Sequence, residues 1–417
     1  MTLNRRQLSL GLATAAWLPG QANANANANA CPPAVTQHAR GFIVGADVSM
    51  LEAVEHGGGR FADAQGRPAE ALGLLHGAGF DWGRLRLWHT PVNADDVREG
   101  ERLVSRRGEP VGGGSNDLAL TIRLARRLRQ QGMKWLLDIH YSDFWADPAH
   151  QRKPQAWRTL SGTALADAVQ AYTTEVLLRL HEAGVTPDMV QLGNEINGGM
   201  LWPDGKTWRE TPDEAIGGMS GFLALMAAAV RGWQAAEARI GQRVPVMVHL
   251  AHQGDGRSRE TFERMFDALR DSGARMDVIG LSWYPYFHDD LASLRANLQH
   301  LSARYGKPLV VVETAYGWQL DHPVGGAAIF NAEAQRKSGY PATPAGQQAL
   351  LQDVARAVAD TPQGLGVFYW EPAWLAVPGA GWRTNDINGW ANQTLFDARG
   401  RALPGLQALR AAAPRCR

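Results

Sequence analysis

From residue 41 onward the chain alternates between short apolar runs and longer runs in which apolar positions recur at helical spacing. The short runs fall at 42–46, 82–87, 134–139, 189–192, 244–250, 278–282, 309–312 and 366–369. Most are rich in Val, Ile and Leu and show little polar alternation, the pattern of strands buried on both faces of a parallel sheet. Between them, 68–78, 116–131, 163–183, 212–238, 258–272, 291–305, 343–359 and 404–412 read as helices. Several open on a cap residue or an early proline, as at Thr343-Pro344, and several close on glycine, as at Gly132, Gly184 and Gly306.

Eight strands alternating with eight helices predict an α/β fold, a single-domain (β/α)8 TIM barrel over residues 31–417. A doubly wound open sheet usually shows a glycine-rich phosphate turn after its first strand, and GADVSMLEAVE is not one. The long, Trp-bearing segments follow strands, on the side where barrels build active sites.

Residues 1–30 stand apart. Arg5 and Arg6 head an apolar run, 8–18, too short to span a bilayer, and Ala/Asn repeats with small-residue cleavage sites follow. That order predicts an export signal, twin-arginine or general secretory, and a periplasmic or extracellular catalytic domain. Of the two cysteines, Cys31 and Cys416 lie at the extremes of the remaining chain. In an exported protein they can be bridged, or both can be free. No later segment is apolar for long enough to cross a membrane. Lys+Arg and Asp+Glu nearly balance, 42 against 41, which removes any electrostatic reason to expect nucleic acid as a partner.

The candidate chemistry lies at strand ends. The run 189–192 passes through Gly193 and Asn194 to Glu195, and 309–312 runs directly into Glu313. Two strand-end glutamates facing each other across a barrel mouth fit glycoside hydrolysis, in which one carboxyl protonates the leaving oxygen and the other attacks carbon or activates water. Glu195 is expected to be the acid/base and Glu313 the nucleophile, with Asn194 and Asn197 beside Glu195 as sugar ligands. Arg84 and Arg86 share one face of the second strand, and Arg86, nearer the mouth, is expected to meet a carboxylate. Tyr284 is the expected hydrogen-bond donor to Glu313. A metal reading of Asp138, His140, His249 and His252 is weaker, because the first strand carries Gly45-Ala46-Asp47 in place of a His-x-His pair. Polar recognition by Asp47, His140 and Asp143 is expected instead, with no catalytic metal and no cofactor. Of fifteen tryptophans many follow strands, among them Trp145, Trp318, Trp370, Trp374, Trp382 and Trp390, which suggests stacking surfaces along a cleft for a polymer.

The segments GADVSMLE, RLRLW, DIHYSDFWADPAHQRKPQAW, LGNEINGGMLWP, SWYP, VVETAY, GYPATPAGQ, YWEPAW and NQTLFD together resemble the arabinogalactan endo-β-1,4-galactanases of glycoside hydrolase family 53, over roughly residues 41–400. The resemblance implies a retaining endo-hydrolase of β-1,4-galactan, a side chain of pectic polysaccharide. Its acid/base falls on Glu195 and its nucleophile on Glu313, with carboxyl groups about 5–5.5 Å apart. The chain departs from the family at His89-Thr90-Pro91 and at Trp390-Ala391. Some bacterial members bind calcium after the seventh strand. Here residues 317–340 offer only Asp321, Asn331 and Glu333 as obvious side-chain oxygens, weak support for a cation that takes six or more. A β-mannanase or endoglucanase on the same barrel, and a non-catalytic glycan-capture protein, are the competing readings.

Overall fold

In the computed structural model, residues 41–413 are described, apart from 212, 213, 255, 385 and 387. The export signal over 1–30 and the Cys31–Cys416 pair lie outside the described residues. The strands are β1 (Ile43–Asp47), β2 (Trp82–Leu87), β3 (Lys134–Ile139), β4 (Met189–Leu192), β5 (Val246–Ala251), β6 (Val278–Ser282), β7 (Leu309–Thr314) and β8 (Gly364–Trp370). All are parallel, each pairs with its neighbour in sequence, and β1 also pairs with β8, so the sheet closes into a barrel. The outer helices are α1 (Ala71–Gly77), α2 (Leu118–Gln130), α3 (Gly162–Glu182), α4 (Gly218–Ile240), α5 (Ser258–Asp271), α6 (Leu291–Tyr305), α7 (Pro344–Ala359) and α8 (Ala408–Ala412). This is the expected single-domain (β/α)8 barrel. Among the described residues no helix is long and apolar enough to cross a membrane.

Local chemistry explains where elements begin. The Asp117, Asp290 and Thr343 side chains accept hydrogen bonds from the first turns of α2, α6 and α7, each cap contributing on the order of 1 kcal/mol. β5 begins at Val246 rather than at 244, because Pro245 has no N–H to give to a ladder. α1 begins at Ala71 rather than at 68, since Pro68–Ala69 pairs antiparallel with Phe61–Ala62. α4 begins at Gly218, with Gly217 before it and both at positive φ; the expected start at 212 lies outside the described residues.

The barrel interior has two floors. The lower is apolar: Ile43, Trp82, Leu136, Met189, Met247, Val278, Val310, Val312 and Phe368 form a cluster separate from the larger core between strands and helices. Gly45 makes room for the Phe368 ring, since a Cβ there would lie 2.2 Å from it. The upper floor is polar. Asp47, Arg84, Asp138, Gln191, His249, Ser282 and Glu313, one from each of β1–β7, are all buried there.

Glu313 reaches that floor through an irregularity. Val311 pairs with Leu281 of β6, but the next partner, Ser282, meets Glu313 and not Val312. Val312 packs with Val310 inside the barrel, and Glu313 next to it also points inward. Strict alternation would have turned Glu313 outward into the helix layer; the bulge turns it toward the mouth.

Candidate active site

A guanidinium in a barrel interior is costly unless carboxylates surround it. Arg84 meets three: Asp47 at 2.9 Å, Asp138 at 2.8 Å and Glu313 at 2.7 Å. It also donates to Gln191 Oε1 at 3.2 Å and Asn194 Oδ1 at 2.9 Å. Burial works against its charge, yet Asp138, Glu313 and Asp47 together hold its pKa well above the ordinary arginine value. Arg86, one turn of the pleat higher, pairs with Asp47 at 3.0 Å and with Glu371 at 2.7 Å. Burial opposes charge on Asp47, but Arg86, Arg84 and Ser49 outweigh it and hold its carboxyl below the usual aspartate range. Glu371 goes the other way. Burial pushes it well above the glutamate range, Arg86 offsets only part of that, and Asp47 adds to it.

The two glutamates at the mouth sit in different surroundings. Glu313 touches the Arg84 guanidinium and accepts a hydrogen bond from the Tyr284 hydroxyl at 2.9 Å. Burial raises its pKa; Arg84 and Tyr284 oppose the rise, while Asp138 and Asp47 add to it. Glu195 follows β4 by three residues and adopts φ +47, a left-handed conformation uncommon for a side-chain-bearing residue and often found at functional sites. The turn is pinned from outside. The Gln151 amide donates to Asn194 O at 2.8 Å and more weakly to Glu195 O at 3.4 Å, and Ile196 N–H donates to His249 O at 3.1 Å. Burial, then the charge of Glu313, lifts the Glu195 carboxyl well above its ordinary range, and Arg84 and the Ser282 hydroxyl counter this only in part. One carboxyl is therefore held beside a cation, and its partner favours its proton.

Both glutamates open into a cleft of about 710 Å³. Trp145, Trp370, Trp382 and Trp390 form one wall, and Phe287, His288 and Gln253 form part of another. Trp370 and Trp382 are nearly parallel, with an interplanar angle of 18° and centroids 5.9 Å apart. Arg86 lies under Trp145, its Cζ 4.6 Å from the ring centroid. Flat aromatic faces of this kind suit the C–H faces of sugar rings.

The structure sorts the residues expected from sequence. Glu195, Glu313, Arg86, His140, Trp145, Asn194, Tyr284 and Trp370 all line the cleft. Arg86 meets carboxylates as expected, but the cation on Glu313 is Arg84. Asp47 is no hydroxyl partner: fully buried beneath the cleft, it is committed to the two arginines and Ser49. His140 reaches the cleft, but its ring nitrogens serve Asp138, Trp88 and the Ala146 N–H. The Asn194 amide is likewise engaged at both ends, by Arg84 and by Ala146 O. Asn197 joins the loop after β4 to the end of β5 through Ala251 O and N–H, at 2.7 and 2.8 Å. Asp143 accepts from Thr90 and Gln155 N–H groups in a neighbouring groove. Trp374 is fully buried behind Trp145 and Trp382, and Trp318 lies outside the cleft lining. Sequence reasoning did not assign Glu371, Ser282 or His249 to the site. Glu371 had a signal: it directly follows a buried strand, as Glu313 follows the run before it.

Comparison with known proteins gives the chain relatives. The model of "Glycosyl hydrolase family 53" matches residues 43–409. The endo-beta-1,4-galactanase of Bacillus subtilis (strain 168) is 33% identical over 401 residues, covering 88% of this chain and 85% of that protein. The arabinogalactan endo-beta-1,4-galactanase of Cellvibrio japonicus is 32% identical over 375 residues, 87% of this chain and 89% of that one. Among solved structures, the GH53 catalytic domain of Ignisphaera aggregans superposes with a TM-score of 0.79 at 36% identity, covering 89% of this chain and 96% of that chain.

Proposed function

Because this chain belongs to glycosyl hydrolase family 53 and is thus a glycoside hydrolase, we propose that it is a retaining endo-β-1,4-galactanase. The observation that carries the reading is the unequal pair of glutamates: Glu313 against Arg84 and Tyr284, Glu195 without a cation of its own and inclined to hold a proton. In the first step Glu195 gives its proton to the glycosidic oxygen while Glu313 attacks the anomeric carbon, forming a glycosyl ester and releasing the leaving chain. In the second step Glu195, now ionised, takes a proton from water, which attacks the same carbon and frees Glu313. Arg84 and Tyr284 keep Glu313 charged and aimed before attack.

The substrate class comes from the relatives named above and from the form of the cleft. Its tryptophan wall beside both glutamates suits consecutive sugar units of a polymer, and so internal cleavage. The basic head, apolar run and cleavage sites over residues 1–30 support export, which would bring the enzyme to polysaccharide outside the cytoplasm.

Reducing-sugar release from debranched pectic galactan, β-mannan and carboxymethyl-cellulose, with product sizing, tests the reading. Galactan alone should be cut, to short oligomers. Cleavage of mannan or cellulose in its place would keep the barrel chemistry but reassign the substrate. Galactan bound but never cut would make the protein a capture module.

A further inference from the structure

We propose that Trp202 and Trp208 form a second sugar-stacking site on the rim of the barrel mouth, outside the cleft, which holds a further stretch of the same galactan chain while the cleft cuts it. The inference rests on the galactan reading above.

Both rings belong to the loop that carries Glu195. Gly198 follows Glu195 closely in that loop, and a Cβ on it would lie 2.9 Å from the Trp208 ring and 3.0 Å from the Trp202 ring. Only a residue without a Cβ lets the two rings close over the turn. Trp202 is fastened there twice. Its indole N–H donates to Gly198 O at 3.0 Å, and its backbone N–H donates to Gln151 O at 2.6 Å. The Gln151 amide in turn donates to Asn194 O at 2.8 Å, beside Glu195. Arg152, whose backbone bridges to Trp202, lines the cleft. The patch is therefore continuous with the mouth, although neither tryptophan is part of the cleft lining.

Among the described residues Trp208 is the one tryptophan left exposed, with 40% of its surface open, and Trp202 beside it is partly exposed. The Trp208 ring is held in place from several sides. Trp202 meets it edge-on, with centroids 5.2 Å apart, Lys206 Nζ lies 4.7 Å from its centroid, and its indole N–H donates to Glu210 Oε1 at 3.3 Å. Lys206 also lies 5.9 Å from the Trp202 centroid and is ion-paired with Glu210. The ammonium and the exposed carboxylate beside the rings supply donors and an acceptor for hydroxyl groups. Their charges cancel, so the patch attracts neither polyanions nor polycations. Flat apolar rings rimmed in this way fit a neutral hexose unit, its C–H face on an indole and its hydroxyls on the rim. Rings already fixed lose little freedom when a sugar docks. A chain seated in the cleft also presents its continuation to the rim at high effective concentration, so a site weak by itself still adds to binding.

Trp208→Ala and Lys206→Met are to be compared with the unaltered enzyme on debranched galactan and on the shortest galacto-oligosaccharide that the enzyme cuts. On the polymer, Trp208→Ala should raise KM about fivefold and leave kcat unchanged, because contacts away from the reacting carbon hold ground state and transition state alike. Lys206→Met should raise it about threefold by removing one hydroxyl partner. On the oligosaccharide, kcat/KM should stay within about twofold for both. In native gels cast with galactan, Trp208→Ala should be retarded less than the unaltered protein. An unchanged KM on the polymer overturns the proposal, as does an equal loss on both substrates, which would make Trp208 part of the cleft. A self-association in ultracentrifugation that Trp208→Ala abolishes would make the patch an interface between two copies of the chain, and overturns it too. Lys206→Met keeps its stem against the rings, so the test stands if Trp208→Ala fails to fold. Galactan left uncut by the unaltered enzyme is a failure of the proposed function alone, since the difference in gel retardation reads the rim without cleavage.

Discussion

Arg84 Nη1 stands 2.7 Å from Glu313 Oε1, a guanidinium of β2 joined to a carboxylate of β7 across the top of the barrel. Because Asp47 and Asp138 lean on the same guanidinium, this contact is a structural joint as well as the setting of the proposed nucleophile.

Arg84→Met should therefore cost stability as well as activity. Removing the cation leaves three buried carboxylates facing one another, a loss of about 3–5 kcal/mol by urea denaturation. Arg84→Lys should recover little, since a single ammonium cannot reproduce a planar fork that serves several partners. A loss under about 1 kcal/mol would show that the network relaxes without its centre.

Glu195→Ala and Glu313→Ala should each reduce turnover of galactan by a factor on the order of 10² or more, with binding retained. Azide separates their roles. With Glu313→Ala it should attack from the vacated face and give an inverted glycosyl azide; with Glu195→Ala it should open the glycosyl ester and give a retained one. The reverse pairing of product and variant would exchange the two assignments.

The pH profile of kcat/KM should be a bell displaced above the range of ordinary carboxylates. In the proposed roles Glu313 must be ionised and sets the acid limb, and Glu195 must be protonated and sets the alkaline limb; burial raises both. Asp47 pushes Glu313 upward, so Asp47→Asn should move the acid limb to lower pH. An acid limb that rises instead would mean that the arginines, once released from Asp47, turn away from Glu313.

Much of this was legible in the sequence. β2, β3, β4, β6 and α6 follow directly from apolar runs and helical spacing, because strands buried on both faces leave little freedom of assignment. The two glutamates were legible because each follows a buried run. The bulge at Val312 was not, since a run of valines looks the same in either phase. The choice between Arg84 and Arg86 depended on depth within the barrel, which spacing on one strand cannot show. Asp47, His140 and Asn197 read as ligands because polar residues at a mouth usually face solvent; here their hydrogen bonds are spent on the protein itself.

The tryptophans should divide into two groups under substitution. Trp145→Ala removes a cleft wall and the cover over Arg86, and should raise KM for galactan more than it lowers stability. Trp374→Ala empties a fully buried site and should cost about 3–5 kcal/mol. Isothermal titration with galacto-oligosaccharides and thermal melts would read the two effects, and an unchanged KM for Trp145→Ala would remove it from the sugar-binding wall.

Glu371 predicts a pH signature of stability. Its folded pKa lies well above the unfolded value of about 4.3. The folded state therefore holds the proton more tightly, and this contribution is full below about 4.3 and is lost as pH rises through the folded pKa. Glu371→Gln cannot ionise, so its Tm relative to the unaltered protein should increase as pH rises across that window. A difference in Tm that is flat with pH would mean that Glu371 is ionised throughout, held by Arg86.

The two floors of the barrel interior also set different rules of inheritance. Below, around Phe368 and Met247, a substitution has only to conserve volume, and any drift there can be repaired by a neighbour of complementary size. Above, no residue of the Arg84 circle can change by itself without stranding a charge, so its members are bound to vary together or not at all. New specificities in this lineage should therefore accumulate in the loops over the mouth, while the circle beneath them passes unaltered from one substrate to the next.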